Sequence, residues 1–148
     1  MKGFYLKWLT VFIGILILAA SCRKDDPVLP SEPTLVNPWE QVTGDIYGFF
    51  LLNEGNMGTN QASLDYYNYE TGVYTRNIYG ERNPYEVKDL GDVGNDIQIY
   101  GDKLWAVINC SNYVEVMDVN TVKHITKIAI PNCRYLAFKG KYAYVSAY

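Results

Sequence analysis

From residue 46 onward, apolar and aromatic residues fall in short runs separated by Gly, Asp, Asn and Thr. That pattern predicts strands at 48–52, 63–67, 73–78, 97–100, 103–108, 113–118, 123–130, 135–138 and 142–146. Asn68-Tyr69-Glu70-Thr71-Gly72, Gly101-Asp102 and Val119-Asn120-Thr121 supply the turn chemistry between neighbouring runs. No segment sustains a helical period. Residues 83–90 are too polar and carry Pro84.

The runs repeat. Sliding the chain by 38 residues lays Ile99 on Ala137, Lys103 on Lys141, Leu104 on Tyr142 and Val107 on Val145. An offset of 50 lays Asn68–Gly72 over Asp118–Val122, and one of 56 lays Leu51-Leu52-Asn53 over Val107-Ile108-Asn109. A unit of about 40 residues with four short strands is the signature of a β-propeller blade. The expected fold class is therefore all-β, a β-propeller. This chain would cover roughly its first two to three blades, because a closed ring needs about 160 to 320 residues. The rival is a small sandwich or partial barrel.

The first residues have a different pattern. Lys2 and Lys7 precede an apolar run over 8–20, shorter than the roughly 20 apolar residues a spanning helix needs. This reads as a secretory leader. Ala19-Ala20-Ser21-Cys22 resembles a bacterial lipoprotein box, in which Cys22 becomes the lipid-bearing N-terminus. Lys24-Asp25-Asp26 resembles the acidic signal that sends Bacteroidetes lipoproteins to the outer face of the outer membrane. The expected organisation is a signal peptide at 1–21, a lipidated tether at 22–45 holding Pro27, Pro30 and Pro33, and a folded part at 46–148. The expected location is the outer membrane, lipid-anchored and exposed at the cell surface.

Charge narrows the partners. The chain carries a net charge of -3, and loss of Lys2 and Lys7 with the leader deepens this to about -5. With no basic block, nucleic acid is an unsuitable partner, and membrane contact falls to the lipid on Cys22. Fourteen tyrosines fit strands and binding surfaces alike. With Cys22 assigned to lipid, Cys110 and Cys133 remain. They could form a disulfide outside the cytoplasm, or serve as two buried reduced thiols.

Residues 50–58, Phe-Leu-Leu-Asn-Glu-Gly-Asn-Met-Gly, together with Ser63-Leu64-Asp65-Tyr66-Tyr67 and Leu90-Gly91-Asp92, resemble the opening of a family of Bacteroidetes surface lipoproteins. Residues 99–105, Asn109-Cys110-Ser111-Asn112, Arg134-Tyr135 and Ala143-Tyr144-Val145-Ser146 continue the likeness. That family forms seven-bladed YncE-like propellers and includes the cobalamin-capturing BtuG proteins. The resemblance implies a non-enzymatic surface binder that takes a small polar ligand such as a corrinoid and serves an outer-membrane transporter. Two departures stand out: Cys110 where relatives tend to carry Asn, and Ala147 where an acidic residue is common.

Two clusters are the candidate ligand-binding residues: Asn53, Glu54, Asn56 and Asn60 after the first strand, and Asn109 and Asn112, with Ser111 between them, after its equivalent. Equivalent loops of successive blades share one face, and amides offer both donor and acceptor to a neutral, amide-rich ligand. The competing reading is that these residues only shape turns. Trp105 reads as core, and Tyr148 as a flat exposed surface.

Catalysis draws no comparable support. His124 is the sole histidine and reads as a solvent-facing strand residue. Asp89 and Asp92 read as turn formers, and residues 92–96 lack calcium-loop spacing. No catalytic residue, metal ligand or cofactor is expected. The alternatives are a lactonase-like hydrolase or quinoprotein-like oxidoreductase whose site lies mostly in other blades, and an envelope protein-interaction scaffold.

Overall fold

The computed structural model describes residues 34–35, 46–86 and 89–148, so the leader, Cys22 and most of the tether lie outside the described residues. The fold is all-β, built from three antiparallel sheets. The first contains β1 (Thr34–Leu35), β2 (Gly48–Asn53), β3 (Ser63–Asn68) and β4 (Val73–Thr75), in the order β1-β4-β3-β2. The second contains β5 (Gly94–Tyr100), β6 (Lys103–Ile108), β7 (Tyr113–Asp118) and β8 (His124–Ala129), in sequence order. The third is a hairpin of β9 (Cys133–Lys139) and β10 (Tyr142–Ala147). Thr34 and Leu35, expected in the tether, pair with Tyr74 and Val73 at the outer edge of the first sheet.

The second sheet is packed on both faces, which is why β6 and β7 read as near-continuous apolar runs. Leu104, Ala106, Ile108 and Met117 join Leu64, Leu90 and Tyr79 in the core shared with the first sheet. Val107 and Val114 join Cys133 and Leu136 on the other side, with Trp105, Phe138 and Val145 against them. Each fully buried aliphatic side chain contributes about 1.5–3 kcal/mol. Trp105 accordingly belongs to the core and meets Phe138 edge-on, with ring centroids 5.2 Å apart.

The expected strand at 73–78 is shorter than predicted. It stops at Thr75 and gives way to a short helix, α1 (Ile78–Arg82). Asn77, at φ 46°, turns the chain and caps α1 by accepting the Gly80 N–H at 3.2 Å. A helix this short has no second apolar turn to betray it in sequence.

The repeat is real, but one offset is corrected. The structure places Gly101 on Gly140, at φ 64° and 57°, which is a slide of 39 rather than 38. A one-residue slip exchanges the faces of a strand. At 39, Ile97 and Ile99 fall on Leu136 and Phe138, which pack inward, while Lys103 and Trp105 fall on Tyr142 and Tyr144. The offset of 50 holds down to hydrogen bonds. Asn68 Oδ1 accepts from Thr71 N–H at 2.9 Å and Asp118 Oδ1 from Thr121 N–H at 2.8 Å. Gly72 and Val122 then donate to the carbonyls of Asn68 and Asp118 at 2.9 and 2.8 Å.

Candidate functional site

The two predicted clusters do converge on one end of the molecule, and the segment between α1 and β5 joins them. Asp92 accepts the Gly58 N–H through both carboxylate oxygens, at 3.0 and 2.8 Å. Its own N–H donates to Ser111 Oγ at 2.8 Å, and its carbonyl accepts from Cys110 N–H at 3.1 Å. Gly91 lies alongside at φ 127°, where an added Cβ would sit 2.6 Å from Ile108 Cγ2 and from Tyr113 Oη. Ala62 N–H donates to the Gly91 carbonyl and Gly94 N–H to the Glu54 carbonyl, at 2.9 and 3.0 Å. One residue thus holds both loops, the first through its carboxylate and the second through its backbone, a specific role beyond the turn-forming one expected for Asp92.

Within this face the named residues divide. Asn53 donates to Ser63 Oγ at 3.1 Å across β2 and β3. Asn109 is buried and donates to the Cys133 carbonyl at 2.7 Å, anchoring the start of β9. Asn112, at φ 59°, accepts from Asn132 N–H at 2.8 Å. The amides of these three are engaged in holding the fold. Glu54, Asn56 and Asn60 remain exposed, and their side chains bond to no described residue. Met57 projects between them, 78% exposed.

The disulfide considered between Cys110 and Cys133 is not formed; both thiols are free. Cys133 is fully buried, and its Sγ lies 3.4 Å from the Tyr113 carbonyl and 3.7 Å from that of Ile108. Burial raises its pKa, as suits an inert core thiol. Among the described residues no group of three or more His, Cys, Asp or Glu could hold a metal ion. Tyr148 is exposed as expected, with the Arg134 guanidinium 4.5 Å from its ring centre.

A second polar site escaped the sequence reading. His124 does not simply face solvent: its Nδ1 lies 2.5 Å from Oε1 of Glu115, which is fully buried in the middle of β7. Lys127 Nζ stands 3.8 Å from the other oxygen and lies over the Tyr113 ring at 5.0 Å. Tyr79 Oη and Glu115 Oε2 are both buried, and Tyr79 is close enough to Glu115 to help hold its carboxylate form. Burial holds the Glu115 carboxyl above the ordinary carboxylate range, against the opposing pull of His124 and Lys127. Burial, reinforced by the Glu115 charge, also pushes Tyr113 up to about 12.

Asn83 fixes this site from the connecting segment. Its amide donates to the carbonyls of Tyr79 and Val122 at 2.8 and 2.9 Å and accepts the His124 N–H at 2.8 Å. The signal was present in the repeat, since the offset of 50 lays Asp65 over Glu115 and Tyr74 over His124.

These features belong to an all-β repeat domain. Residues 47–147 match the family model described as a domain of unknown function, DUF5074. The match spans most of the chain, and the chain belongs to that family. No curated protein matches it.

Proposed function

We propose that the three sheets are consecutive blades of a propeller whose loop face captures a large polar ligand, a corrinoid being the first candidate, without catalysing a reaction on it. In this reading Cys22 carries lipid at the outer surface of the outer membrane, and the captured ligand passes to a transporter there. The carrying observation is the Asp92 clamp. It brings residues 54–62 and 109–112 to one face while leaving Glu54, Asn56 and Asn60 unspent. The blade reading is supported by the repeated turn hydrogen bonds and by a latch found twice. The connector into the second sheet bonds to the loop of the first, and Ile130 and Asn132 N–H groups bond to Asn112 in the next.

Calorimetric titration of the complete propeller, expressed without leader and lipid, with cyanocobalamin and cobinamide tests this reading. Saturable heat at one ligand per chain, weakened in a Glu54→Ala, Asn56→Ala, Asn60→Ala variant, is the expected result. A flat trace from folded protein overturns the corrinoid assignment.

A further inference from the structure

A pocket of about 220 Å³ opens at the start of β8, between residues 82–86 on one side and Lys123 and His124 on the other. It is distinct from the loop face, and its polar groups do not take part in the Asp92 clamp. Three cationic or protonatable side chains, Arg82, Lys123 and His124, surround it against Glu86.

The His124 ring is oriented from behind. Nδ1 points at the buried Glu115 oxygen 2.5 Å away, and this hydrogen bond fixes the plane of the ring. The other ring nitrogen, Nε2, bonds to no described residue. Arg82 contacts Glu81 at 3.4 Å, with both side chains largely exposed. An exposed pair of this kind is weak, so the guanidinium is free to turn toward a ligand. The pocket floor is rigid because the Asn83 amide is fully engaged by Tyr79, Val122 and His124.

We infer that this pocket binds a small oxyanion, a phosphate or carboxylate group, through the Nε2 of His124, the ammonium of Lys123 and the guanidinium of Arg82. A planar fork, a point charge and a ring nitrogen lining one small pocket suit such a group.

His124 is the only histidine in the chain, so its ring nitrogens report on the site without ambiguity. The test is a titration of the full chain with inorganic phosphate at fixed pH, followed by the imidazole ¹⁵N and ¹H signals, with sodium chloride at matched ionic strength as reference. The expected result is a saturable shift absent from the chloride series. Lys123→Ala should weaken binding roughly tenfold, the loss of one charged hydrogen bond. Lys139→Ala, an exposed change on β9, should leave it within about twofold. Identical shifts in phosphate and chloride, or equal binding by the Lys123 and Lys139 variants, would overturn the assignment.

Discussion

Asp65 and Glu115 occupy the same position in successive sheets, each buried and each held by the residue nine places further along. Tyr74 Oη donates to Asp65 Oδ2 at 2.7 Å, and His124 Nδ1 faces Glu115 Oε1 at 2.5 Å. Asp65 also accepts the Asn77 N–H at 2.8 Å, where Lys127 stands by Glu115 in the second sheet. A buried carboxylate on the third strand is thus part of the repeat, and its partner changes from a phenol to an imidazole.

Glu115 gives a pH signature. A carboxyl whose pKa is higher folded than unfolded binds its proton more tightly in the folded chain. The favourable contribution of this group is complete below its unfolded pKa. It is lost as pH rises through the interval between the unfolded and folded values. Glu115→Gln is neutral in both states and should remove that loss. The melting temperature of the natural chain should therefore fall relative to Glu115→Gln as pH rises past the ordinary carboxylate range. Parallel pH profiles would count against it. Glu115→Ala, which leaves a cavity in the middle of β7 and removes the partner of His124, should cost about 2 kcal/mol.

Much of the architecture was legible before any coordinates. The strands announced themselves because short apolar and aromatic runs, near-continuous where both faces are packed, stop at Asn-, Asp- and Gly-led turns. Glu115 was not legible for the same reason. Within Tyr113-Val114-Glu115-Val116-Met117 it sits where alternation suggests an outward residue, yet Tyr79 and α1 cover that face. The slide of 38 failed because it matched apolar residue types, whereas the pleat follows the turn glycines. The loop clusters were placed together correctly. Sequence could not tell which amides would be consumed by the backbone.

Val122 carries a predictable inversion of the usual order of substitutions. It lies at φ 59°, where a β-branched residue is strained, and its side chain is buried against the first core. Both Val122→Ala and Val122→Gly lose that burial, about 1–2 kcal/mol. Only glycine also relieves the strain, as Gly72 does at the matching turn. Urea denaturation should find the Gly variant about 1 kcal/mol more stable than the Ala variant. The reverse order would show that the turn relaxes to negative φ.

Asp92 should separate loop order from overall stability. Asp92→Ala removes both acceptors of the Gly58 N–H, a charge-assisted contact worth about 1.5–3 kcal/mol. Hydrogen exchange should show the Gly58 amide losing protection while Leu104 and Val116 in the second sheet keep theirs. If Gly58 exchanges equally fast in both proteins, the clamp is not closed in solution.

Asn109 distinguishes a structural amide from a ligand-contacting one. Asn109→Ala leaves the Cys133 carbonyl without its donor, which should cost about 2 kcal/mol in chemical denaturation. Unchanged stability together with lost ligand binding would instead place Asn109 among the ligand contacts.

The double-sided packing of the second sheet has a mechanical consequence. Each sheet leans on its sequence neighbours, and each connector is latched to the loop before it, so stability accumulates by nearest-neighbour steps. Removing order from the β9–β10 hairpin uncovers one face of the second sheet. Removing it from the second sheet uncovers both neighbours. Amide protection should therefore be highest in the second sheet, where both faces are packed by its neighbours.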